Sequence, residues 1–111
     1  LAIALAGVHL PFGSTITAVT NDSEIVSGRI DVWLWAYGFG SATRTNLLGS
    51  ALSKSSAGRG QVTANLNYTT NETAEAYLIQ VDLPNAGDKL WNVRITYTTP
   101  FSALFLPSVQ R

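Results

Sequence analysis

Apolar and polar residues alternate along most of this chain, and no stretch sustains a 3.6-residue period. Residues 61–69 show it most cleanly: Val62, Ala64, Leu66 and Tyr68 fall on one face, and Gln61, Thr63, Asn65, Asn67 and Thr69 on the other. That is the pattern of an antiparallel strand with one face in a core and one in water. Residues 90–99 repeat it, with Trp91, Val93, Ile95 and Tyr97 expected inward, and residues 74–83 place Tyr77, Ile79, Val81 and Leu83 together. Further strands are expected at 14–20, 24–37, 43–48 and 101–106, where β-branched and aromatic residues dominate. Turn-forming clusters separate them at 37–41, 53–60, 69–73 and 83–88, and Gly49 argues against a helical turn at 47–54. Short strands at this spacing, seven or eight in all, read as an all-β antiparallel two-sheet sandwich, immunoglobulin-like or jelly-roll-like, with a small barrel as the alternative.

Composition narrows the function classes. The 111 residues fit one domain with a core of its own, needing neither metal nor disulfides to fold. Seven acidic and seven basic residues cancel, and the arginines are dispersed, so the basic patch that binds nucleic acid is missing. No apolar run approaches the ~20 residues of a membrane-spanning helix. Cysteine and methionine are both absent, which excludes thiolate chemistry and suits an oxidising, extracellular or cell-surface location.

The first ten residues form the most distinctive segment. Leu1, Ile3 and Leu5 alternate with Ala2, Ala4 and Ala6, giving one bulky and one small face; Val8 and Leu10 follow. Ala4-Leu5-Ala6 resembles a leader cleavage site, but the alternation reads as a strand. Such a strand packs either in its own sheet or in a neighbouring copy, and Gly7 and Pro11-Phe12-Gly13 form a hinge. The division is therefore a strand and hinge over 1–13 and a sandwich over 14–111. The segment resembles the donor strands of archaeal surface filaments, the thread and bundling-pilus subunits, which are β-rich, poor in charge and N-glycosylated. The resemblance implies a homopolymer in which Leu1, Ile3, Leu5, Val8 and Leu10 of one subunit complete the sheet of the next. Trp91, Val93 and Ile95 are the residues expected to line the receiving groove.

In residues 29–37, Ile30, Val32, Leu34 and Ala36 form a core face, while Arg29, Asp31, Trp33, Trp35 and Tyr37 form the other. Two tryptophans and a tyrosine on the solvent side leave three readings: a strand covered by another segment, a subunit interface, or a platform for sugar rings. The last is the basis of the alternative function, a carbohydrate-binding or adhesive module. Asn21, Asn67 and Asn71 each begin an N-glycosylation sequon and are expected in exposed turns or on a polar strand face, making covalent N-glycans expected partners. His9 is the only histidine and is expected to be packed in the first strand, Glu72 and Glu75 look too exposed for a tuned carboxylate pair, and Asp82 and Asp88 flank a turn. No catalytic residue, cofactor or metal site is assigned. The expected protein is not an enzyme but a structural subunit of an extracellular filament or surface array.

Overall fold

The computed structural model describes residues 2–100. The alternating segments become eight strands: β1 (Ala2–Val8), β2 (Thr15–Ile25), β3 (Ile30–Gly38), β4 (Arg44–Asn46), β5 (Leu52–Lys54), β6 (Gly58–Thr69), β7 (Glu75–Leu83) and β8 (Lys89–Thr98). All pairings are antiparallel. The wider sheet runs β1-β7-β3, with β4 and β5 end to end along the far edge of β3; the narrower runs β6-β2-β8. The two sheets form the expected sandwich.

The core lies where the inward rows meet. Ile16, Val19 and Ile25 of β2 pack against Ile30, Val32 and Leu34 of β3 and against Ile79 and Val81 of β7. The aliphatic face of β3 is buried from Ile30 to Ala36, as its period of two requires. In β6, Val62, Ala64, Leu66 and Tyr68 are half-buried while the residues between them are exposed.

The expectations for the Asn21 segment and for Trp91 fail for identifiable reasons. Asn21-Asp22-Ser23 was expected to turn the chain; instead β2 continues through it to Ile25, and the turn follows at 26–29. There Gly28 takes φ 153°, and a Cβ on it would lie 1.9 Å from Asn85 Nδ2. Asn21 is fully buried rather than exposed. Its Nδ2 donates to the carbonyls of Ile30 and Leu52, 3.0 Å each, and so ties the narrow sheet to the wide one; its Oδ1 accepts from Ser23. Trp91, expected inward, is 50% exposed. The β2–β8 register slips between Asp22 and Ser23, pairing them with Asn92 and Leu90, so Trp91 is the extra residue and turns outward. It stacks under the Arg59 guanidinium at 4.3 Å and donates to Glu24. The strand expected at 101–106 lies outside the described residues.

On the outer side of the narrow sheet, Asp22 accepts two bonds from Arg59, at 3.1 and 3.3 Å, and one from Asn92 at 3.0 Å. The hydrogen bond from Arg59 holds its carboxyl below the usual range. A lowered folded-state pKa contributes stability above the unfolded pKa and loses it as pH falls through the folded one. Thermal melts should therefore separate the wild type from Asp22→Asn at neutral pH. The gap should close on acidification below about pH 3.9, the ordinary aspartate value; a gap independent of pH would contradict the pairing.

Candidate strand-exchange site

β1 sits at the edge of the wide sheet, where among the described residues it pairs with β7 alone, in an unbroken register from Ala2 opposite Leu83 to Val8 opposite Tyr77. Residues directly opposite share a face. Ala2, Ala4, Ala6 and Val8 therefore share the inward face of Val81 and Ile79, while Ile3, Leu5 and Gly7 share the outer face of Asp82, Gln80 and Leu78. The bulky row thus points away from the core. Ile3 is 58% and Leu5 62% exposed, and the alanines of the inward row are exposed as well. An apolar strand attached along one edge and covered on neither face is a hazard in a solitary protein.

The sequence-assigned plug residues divide accordingly. Ile3 and Leu5 lie in solvent, Val8 and Leu10 touch the core cluster, and Leu1 lies outside the described residues. Below β1 lies an apolar groove of about 480 Å³, floored by Ile79 and Val81 and walled by Leu90, Val93 and Ile95 of β8. Two of the three groove residues expected from sequence are there, Val93 and Ile95; Trp91 is absent because of the register slip. Among the described residues the wide sheet overhangs: β5 touches β6 and β2, and β3 touches β2, which sets β7 above β8 and leaves no described strand beneath β1.

Trp33, Trp35 and Tyr37 are half-buried on the outer face, in register across β7 with Gln80, Leu78 and Ala76. Arg44 lies 3.9 Å over the Trp35 ring and donates to the Tyr37 hydroxyl, while Trp35 Nε1 donates to Gln80. Arg44 thus occupies one stacking surface of the row. Asp31, expected on this face, is buried and accepts from Arg29 and Ser53.

A second hollow of about 250 Å³ is lined by His9, Phe39, Glu72, Glu75 and Tyr77, among others. His9 follows the end of β1 and is exposed, not packed within the strand as expected. The two carboxylates are half-buried and already engaged. Glu75 accepts from both Tyr68 and Tyr77, and Glu72 from Thr70 and the Gly13 amide. Burial pushes both tyrosine hydroxyls up, and the hydrogen bonds to Glu75 add to it. Burial works against ionisation of Glu72, but its hydrogen bonds outweigh this and hold its carboxyl low. Every acid in the hollow is thereby spent on joining the β6–β7 turn to its surroundings. Asp88 accepts from the amides of Val26 and Ser27, and Asp82 from Gln80. Among the described residues no three His, Asp or Glu side chains group as metal ligands, and no helix is long and apolar enough to cross a membrane.

Of the three sequons, Asn67 and Asn71 are exposed, one on the polar face of β6 and one in the following turn. A glycan on Asn21 would displace both of its inter-sheet bonds, so the folded domain has no room for one there.

No family profile matches the chain, and neither a curated protein nor a solved structure matches it.

Proposed function

We propose that this protein is a structural subunit of an extracellular filament or surface array, in which β1 leaves its own β7 and takes the same seat on β7 of a neighbouring copy. The carrying observation is that β1, apolar throughout, is fixed along one edge with Ile3 and Leu5 in solvent. Exchange conserves the hydrogen-bond ladder, so its driving force comes from surface newly covered between bodies. Full burial of an aliphatic side chain is worth about 1.5–3 kcal/mol. Residues 9–14, with Pro11 and the positive-φ Gly13 (75°), supply the hinge. Exposed Asn67 and Asn71 suit N-glycans on such a surface, and the homopolymer needs no other partner. The carbohydrate-binding alternative has less support, because Arg44 already covers Trp35.

Light scattering and negative-stain imaging test the joint. The full chain should form regular polymers. Removal of residues 1–8 should leave single subunits, as should Ile3→Asp with Leu5→Asp, which alters only exposed positions. Undiminished polymerisation of either variant, or a full chain that stays monomeric at all concentrations, would sink the proposal.

A further inference from the structure

We infer that the outer face of the narrow sheet carries a binding site for a neutral saccharide chain, with Trp91 as its stacking surface. The site lies on the sheet that does not hold β1, so it does not rest on the exchange reading, and it is distinct from the aromatic row of β3.

The slipped residue in β8 is the first observation. A bulge re-aims a side chain, and this one puts the largest apolar side chain of β8 into water, 50% exposed, instead of into the core. The ring is then held rather than left loose. Its Nε1 donates to Glu24 at 3.2 Å, and the Arg59 guanidinium lies 4.3 Å over one of its faces. Arg59 is itself fixed by two bonds to Asp22, which is buried and also accepts from Asn92. An indole with one face covered and half its surface in water presents its other face to solvent. Trp35, by contrast, is half-buried under Arg44.

The surroundings of the ring fix the ligand class. An indole face is electron-rich and attracts the C–H groups that line the flat side of a pyranose ring. Beside it stand Asn92 and Gln61, both exposed and both opposite Asp22, with Glu24 between Arg59 and Lys89 in the next cross-strand row. Planar amides and carboxylates of this kind offer donors and acceptors to neighbouring hydroxyls. Among the described residues no hydrogen bond uses Glu24 Oε2 or Asn92 Oδ1, which leaves both for a ligand. Two carboxylates, Asp22 and Glu24, stand beside two cations, Arg59 and Lys89, so the cluster has no net charge and favours a neutral ligand over a polyanion. Ring and polar groups are already fixed by one another, so binding has little left to order. The surface is the face of a sheet rather than a cleft, which suits a chain laid across it.

Isothermal titration calorimetry of the full chain with soluble hexasaccharides from cellulose, chitin, mannan and xylan tests this. At least one of these sugars should bind at millimolar concentration. Trp91→Ala should weaken that binding roughly tenfold, and Trp91→Tyr, which keeps a ring face, should lose less. Hydroxyl-radical footprinting of the unaltered chain gives an independent reading that needs no variant to fold. The bound sugar should protect Trp91 from oxidation and leave Trp33 as it was. Failure of all these sugars to bind overturns the inference. So does binding that survives Trp91→Ala undiminished, or protection of Trp33 in place of Trp91. Neither readout depends on whether the chains assemble through β1.

Discussion

Leu34→Ala should lower the unfolding free energy by about 2–5 kcal/mol, the range for deleting a buried aliphatic side chain from a close-packed core. Leu34 is wholly buried in the middle of β3, within the core cluster to which both sheets contribute. Its counterpart is Leu5→Ala, which deletes the same atoms from a side chain that is mostly in solvent. That change should cost the isolated subunit under about 0.5 kcal/mol, as exposed substitutions do, yet impair polymerisation. Urea melts of the two variants beside sedimentation of their assemblies separate a core leucine from a joint leucine. If Leu5→Ala destabilises as much as Leu34→Ala, β1 packs far more tightly at home than the structure shows.

The second large effect belongs to Asn21. Asn21→Ala removes both of the Asn21 bonds to the opposite sheet and leaves the Ile30 and Leu52 carbonyls short of a donor. Unsatisfied buried groups and a small cavity together put the loss at about 2–4 kcal/mol. Asn21→Asp keeps the shape but replaces the donor with a carboxylate facing two carbonyl oxygens. It should be the worse of the two at neutral pH, and should recover in part when acid protonates it and restores a donor. Denaturant melts at two pH values check the order; an Asp variant as stable as wild type at pH 7 would remove Asn21 from its bridging role.

Much of this architecture is legible from residue type alone. Alternation fixes the inward rows of β3, β6 and β7, because a strand with one wet face must repeat every two residues. It fails where pairing, not pattern, decides. Asn21-Asp22-Ser23 has the composition of a turn, and no local signal shows that the Asn21 amide meets two carbonyls of the opposite sheet. One slipped residue turns Trp91 out, and alternation cannot count a bulge before the partner strand is known. In β1 the two rows are visible in sequence, but which one faces inward is set by β7, through Ala4 opposite Val81 and Ala6 opposite Ile79. That the strand's bulk would face solvent was thus hidden, although the choice between its own sheet and a neighbour's was already open. The aromatic row of β3 was visible too, but the Arg44 cover on Trp35 comes from a separate strand, which only the fold brings alongside.

The unbroken antiparallel ladder between β1 and β7 also has a mechanical side. In an exchanged joint, tension along the assembly would reach β1 through its residue-8 end and pull it lengthwise past β7. Load applied in that direction falls on all the rungs together, whereas a sideways pull would open them one after another. The same seven-residue seat would therefore resist stretching far better than peeling, so such a fibre would withstand drag along its axis and come apart first where it is bent sharply.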